Sequence, residues 1–256
     1  TFQQLVSLAA LSIDSTTTLL HLGKKTTATT AKKETPQEVN AGAEADWRIQ
    51  VASVQFNNNN LQFDDDNSPR QPTGMDFMHL LAKKLTLHVK DLAYSNDSIA
   101  GNIAKATLTE QSGFVLDQLQ TRFFYSDKQA YLKELYLKTP GTELKRRIAI
   151  RYDSLGALQK DIGHMHVDFD IVHSKIWVKD ILTFVPSLRS QPAFAYPDAT
   201  WLINSSISGT VAGLQIPTLQ ISGLKDTRLD ISGRITGLPD MNKLDADLTI
   251  KNISSS

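Results

Sequence analysis

Apolar and polar residues alternate with a period of two from residue 85 to residue 151, and this constrains the chain more than anything else in it. The stretch reads LTLHVKDLAYSNDSIAGNIAKATLTEQSGFVLDQLQTRFFYSDKQAYLKELYLKTPGTELKRRIAIR. A helix would repeat its apolar positions every three or four residues; alternation belongs to strands with one apolar and one wet face. The runs are separated by short polar turns, Ser-Asn-Asp at 95–97, Ser-Asp-Lys at 126–128 and Thr-Pro-Gly-Thr at 139–142. Pro140-Gly141 suits a type II turn, since proline presets φ at the first central position and glycine accepts positive φ at the second. The expected fold is therefore mainly β: an elongated, curved, repeating antiparallel sheet with one or two short helices.

Composition narrows the function classes. The 256 residues suffice for one large or two modest domains. Lys+Arg and Asp+Glu are both 27, so no global positive charge points to nucleic acid. Cysteine is absent, which removes disulfides, thiolate metal sites and cysteine nucleophiles. The apolar run LVSLAALSI at 5–13 is far shorter than the roughly 20 residues a spanning helix needs. No basic region precedes it, so it is a poor signal peptide. The chain reads as a segment of a longer protein.

Five stretches follow from the pattern. Residues 1–22 carry weak apolar periodicity, loosely helical at Leu5, Leu8 and Leu11 but closer to strand at SIDSTTTLL. Residues 23–46 hold almost no large apolar side chains and read as a linker or loop. Residues 47–153 are the main β stretch; a parity switch at Ala52-Ser53 suggests a bulge. Residues 154–190 are expected to hold helices at 154–163 and 178–188, with a strand between. Residues 191–256 return to β and repeat Ile-Ser-Gly at Ile207, Ile221 and Ile231, with a related Ile-Ala-Gly at Ile99. The spacings of the triplets are irregular, so this is a loose β repeat in which glycine lets strands bulge or approach closely.

Some residues invite a chemical reading. In GHMHVDFDIVH, His164, His166, Asp168 and Asp170 share one parity, with Met165, Val167, Phe169 and Ile171 on the other. Imidazoles and carboxylates on one strand face can hold a metal, and the wet face of a half-buried strand has the same pattern. The acidic loop at 64–67 lacks the glycine and glutamate of an EF-hand. Lys145-Arg146-Arg147 could meet phosphate head groups, or mark an exposed strand end. No phosphate-binding glycine loop and no Gly-x-Ser-x-Gly elbow occurs. No catalytic residue and no cofactor is assigned.

The segment PTGMDFMHL, followed by the ladder above with its SGFVL and YLKELYLKTPGTELKR runs, resembles the bacterial AsmA-like and TamB (translocation and assembly module) proteins, in the large form found in Bacteroidota. SKIWVKDILTFVPSL and the Ile-Ser-Gly strands resemble the same family, so the likeness covers about residues 47–250. The resemblance implies a periplasmic segment of an inner-membrane-anchored envelope protein, its β-sheet curled into an apolar groove. It implies carriage of phospholipid between inner and outer membrane, support of outer-membrane biogenesis, and for TamB a link to barrel assembly. The partners implied are phospholipid acyl chains and an outer-membrane barrel-assembly protein, with membrane contact through other parts of the parent chain. Residues 23–46 and 153–190 depart from a pure β-groove.

Periodicity alone leaves the apolar face two fates, a sandwich core against a second sheet or an open groove. The groove would be lined by Leu85, Leu87, Val89, Ile99, Ile103, Phe114, Leu116, Leu135, Leu137, Ile148 and Ile150. Three functions follow: a lipid-conducting segment, a scaffold or chaperone-like module pairing with client strands, and a metal enzyme built on His164, His166 and Asp168. The first is preferred.

Overall fold

A computed structural model describes residues 3–24, 46–154, 156, 161–224 and 227–254. Among these, thirteen strands form one open, curved sheet: β1 (Gln3–Asp14), β2 (Thr17–Leu22), β3 (Asp46–Asp65), β4 (His79–Ser95), β5 (Ser98–Glu110), β6 (Val115–Ser126), β7 (Gln129–Lys138), β8 (Glu143–Arg151), β9 (His166–Trp177), β10 (Thr200–Thr210), β11 (Gly213–Leu224), β12 (Thr227–Thr236) and β13 (Asp245–Ser254). From β3 onward each strand pairs antiparallel with the next in sequence. The departure is at the start, where β1 and β2 lie end to end along β3 and run parallel to it. Residues 1–22, read loosely as helix or strand, thus supply strands. The linker expected at 23–46 lies, apart from its ends, outside the described residues.

From β4 to β12 the strands are bent near their middle, for a reason visible in the register. Pairing slips between Lys90 and Ala93, Ile103 and Ala106, Gln120 and Arg122, Lys133 and Leu135, and Glu143 and Arg146. It slips again between Ile203 and Ser205, Ile216 and Leu219, and Asp230 and Ile231. These places are neighbours across the ladder, so the bulges form one seam running the length of the sheet. Asp91, Glu134, Arg146 and His173 sit on it at positive φ. A bulge bends its strand and leaves backbone groups unpaired. Here side chains take those groups up. The Thr121 hydroxyl donates to the Lys133 carbonyl at 2.9 Å, the Lys145 N–H donates to Ser174 Oγ at 3.0 Å, and the His173 N–H donates to Asn204 Oδ1 at 2.6 Å. The parity switch read at Ala52-Ser53 faces the bulge at Asp91, and Val51 and Val54 both end up buried on one face.

The Ile-Ser-Gly triplets have a backbone cause. Gly209, Gly223 and Gly233 have φ of +114°, +99° and +146°. A Cβ on each would run into a neighbouring strand's or turn's carbonyl, that of Gly213, Thr200 and Asp247 in turn. Gly101 of the Ile-Ala-Gly triplet differs: its missing side chain makes room for Phe123 and Val89.

The connection from β9 to β10 holds one helix, α1 (Val178–Phe184), followed by a 3-10 turn at Pro186–Ser190. The helix expected at 154–163 lies mostly outside the described residues; the described end is a 3-10 turn at Ile162–His164, capped by Asp161. The helical stretch does not break the sheet, since β9 pairs with both β8 and β10. Instead α1 runs along one rim. Val178 and Leu182 pack on Trp201. Asp180 Oδ2 accepts from the Thr139 and Thr142 hydroxyls at 2.6 and 2.5 Å. The Met75 N–H donates to the Thr183 carbonyl at 2.7 Å.

Candidate functional site

Directly paired residues on neighbouring strands point to the same face, so the register sorts every side chain. One row runs through Ile49, Tyr94, Ile99, Tyr125, Ala130, Ile150 and Val167 to Leu214 and Ile235. The next contains Phe123, Leu132, Ile148, Phe169 and Ile207. At the seam lie Val54, Val89, Ile103, Thr121, Leu135, Ser205 and Ile231, and beyond it Phe56, Leu87, Ala106, Leu119, Leu137 and Leu144. The opposite face carries Lys90, Asn102, Arg122, Lys133, Arg147 and Asp170 at the same level.

The direction of the bend follows from burial. Val54, Val89, Thr121, Leu135, Ser205 and Ile231 are only 2–9% exposed, although no second layer covers them among the described residues. Lys90, Asn102, Arg122 and Lys133, across the sheet from them, are exposed. Only a sheet folded toward its apolar face buries one seam row and opens the other. The result is a groove whose floor is the seam and whose walls are the flanking apolar rows. Twelve strand positions at the usual spacing make it about 50 Å long.

The walls are not a closed core. Ile99, Phe123, Leu132, Ile148, Ile150, Phe169 and Ile207 are all half-buried, where a second sheet would have buried them fully. The sandwich arrangement is therefore excluded for the described residues. Nor does the sheet close into a barrel, since β1 and β13 do not pair.

Of the predicted lining residues, Leu87, Val89, Ile99, Ile103, Leu135, Leu137, Ile148 and Ile150 lie in these rows. Leu116 pairs with Leu108 toward the rim, and Leu85 pairs with Asn59 beside the bulge at Lys84. Phe114 departs from the expectation: it precedes β6, and its ring packs edge-on against Phe184 of α1 with centroids 5.0 Å apart. It belongs to the rim because α1 lies over the β5–β6 turn. Sequence reasoning missed Phe123, Leu132, Phe169 and Ile207. For Phe169 the signal was present, since Val167, Phe169 and Ile171 alternate against the His/Asp series.

That His/Asp series is corrected in one respect. His166, Asp168 and Asp170 share the polar face of β9, but His164 lies in the turn capped by Asp161, outside the strand. The carboxylates are engaged by cations: Asp168 with Arg147 at 2.8 Å and Asp170 with Arg146 at 2.7 Å. Among the described residues no three His, Asp or Glu side chains are arranged to hold a metal.

At the rim, Asp76 anchors the loop that meets α1. Its carboxylate accepts from the N–H groups of Gln71 and Met78 and pairs with His79 Nδ1 at 3.0 Å. Burial pushes its pKa up, but these donors outweigh burial and hold it below the ordinary value of 3.8.

No family model, no curated protein and no solved structure matches the chain. The functional reading therefore rests on the groove.

Proposed function

We propose that this chain is a segment of an envelope-spanning AsmA/TamB-like protein whose groove carries phospholipid acyl chains between the inner and outer membranes. One observation carries this reading: apolar rows run along the sheet, one of them from β3 to β12, and nothing among the described residues covers them. An uncovered apolar surface of this extent marks a binding site. Covering it with an acyl chain returns about 0.8 kcal/mol for each CH₂ taken from water. The wall rows hold no charged side chain among the described residues, so binding of this kind selects for chain and not for head. No bond-breaking chemistry is assigned, and the proposed location is the periplasm.

The open edges favour a second reading. Among the described residues, β1 and β13 each leave one side of the backbone unpaired, and Leu248, Ile250 and Ile253 of β13 are exposed. Such edges accept a client strand, as a scaffold in outer-membrane protein assembly would require.

Native mass spectrometry with lipid extraction separates the two. Phospholipid should co-purify with the chain and be lost on Leu132→Asp or Ile148→Asp, with the far-ultraviolet circular dichroism unchanged. A folded chain that takes up no phospholipid from vesicles would end the groove reading and leave strand pairing.

A further inference from the structure

Two motifs from the sequence, Lys145-Arg146-Arg147 and His166-x-Asp168-x-Asp170, are brought side by side by the pairing of β8 with β9 on the face opposite the groove. Between β7, β8 and β9 this face holds a depression of about 170 Å³. Its base is Ala149, whose small side chain leaves space between its row neighbours Tyr131 and Asp168. Lys133, Arg147, Arg151 and His166 surround it.

Three permanent cations thus face one carboxylate, leaving an excess of two positive charges with His166 neutral. The acids nearby are taken: Glu134 binds Arg122 at 2.5 Å and Asp170 binds Arg146 at 2.7 Å. The cations are placed, not loose. Tyr131 stacks on Phe124 with centroids 5.4 Å apart, and Lys133 Nζ sits 4.2 Å from the centre of the Tyr131 ring. Arg147 Nη2 donates to Asp168 Oδ1, while its Nε is buried and has no hydrogen-bond partner. A buried donor without an acceptor is costly.

We propose that this depression is a binding site for a phosphomonoester group. A dianion matches the excess charge, and a tetrahedral phosphate offers enough acceptors for the Arg147 and Arg151 guanidinium groups and the Lys133 ammonium together. A carboxylate, with one charge and two oxygens, leaves a cation unanswered. Phe124 and Lys133 already pack against the Tyr131 ring, and recognition falls to the phosphate itself. The site lies across the sheet from the groove and does not depend on what the groove holds.

Inorganic phosphate titrated into the full chain, followed by backbone amide NMR, tests this. Saturable shifts should centre on β7–β9. The affinity should fall about tenfold in Arg151→Gln and in Ala149→Leu, which fills the depression without changing charge. Lys90→Gln, exposed on the same face but three strands away on β4, should bind as the unaltered chain does. Lys133→Gln, at an exposed position, gives a second charge variant should Arg151→Gln fold poorly. Vesicles of phosphatidylcholine with and without phosphatidic acid, beside free glycerol phosphate, identify the source. Retention on the phosphatidic acid vesicles alone makes it a lipid head group; binding of glycerol phosphate without vesicle retention makes it a soluble ester. Absence of saturable shifts at millimolar phosphate, or equal weakening by Lys90→Gln, would overturn the site. Phospholipid co-purification should be unchanged in Arg151→Gln, so this proposal and the groove fail separately.

Discussion

Thr121 and Ser174 stand in for backbone where the sheet bends. Each is about 2% exposed, and each hydroxyl meets a main-chain group that the ladder no longer pairs. Thr121→Val keeps the shape and strands the Lys133 carbonyl; Ser174→Ala strands the Lys145 N–H. Each should cost about 1–2 kcal/mol in urea unfolding, and Thr121→Ser should cost much less. Gly223 is a second such point. Its φ of +99° and its approach to the Thr200 carbonyl leave no room for a methyl group, so Gly223→Ala should destabilise by more than about 1 kcal/mol. Only part of this was legible. The Ile-Ser-Gly repeat announced close backbone approach. The bulges at Glu134 and Arg146 use residues with no preference for positive φ, so they leave no mark in the sequence; pairing on both sides imposes them.

Among the elements, α1 ties together turns that the sheet alone would leave separate. Through Asp180 it holds the β7–β8 turn, through Phe184 it meets Phe114, and through the Thr183 carbonyl it receives the loop that Asp76 organises. The Asp76 pKa is depressed in the folded chain, so its contribution to stability is fully present above the ordinary value of 3.8 and is lost as pH falls through the lower folded value. Protection of the Met75 N–H from hydrogen exchange, relative to its intrinsic rate at each pH, should therefore fall on acidification below about pH 4, and Asp76→Asn should flatten that dependence. The strands were easier to read than this helix connection. Alternation is a local signal, whereas the path of α1 along the rim depends on contacts from residue 75 to residue 201. The run Phe123-Phe124-Tyr125 shows the limit of alternation itself. Three aromatics in a row have no parity, and only the register turns Phe123 and Tyr125 inward and stacks Phe124 on Tyr131 outside.

At the scale of the whole molecule, one sheet with no second layer among the described residues means that the usual source of β-sheet stability, burial of one face, is only half used. The seam row is covered by its neighbours, and the walls are left to water or to a ligand. Whether the apolar face would close as a sandwich could not be read from periodicity, because both arrangements write the same alternation; the half-burial of the walls and the unpaired outer strands decide it.

The seam has a consequence for size. Since each strand carries its own bend and meets only its two neighbours, the cross-section of the trough is set rung by rung, while its length is set by how many rungs are stacked. Adding or removing a hairpin changes the length by about 9–10 Å and leaves the width alone. Width and reach are then independent quantities: one fixed by where the bulge falls within a strand, the other by counting hairpins.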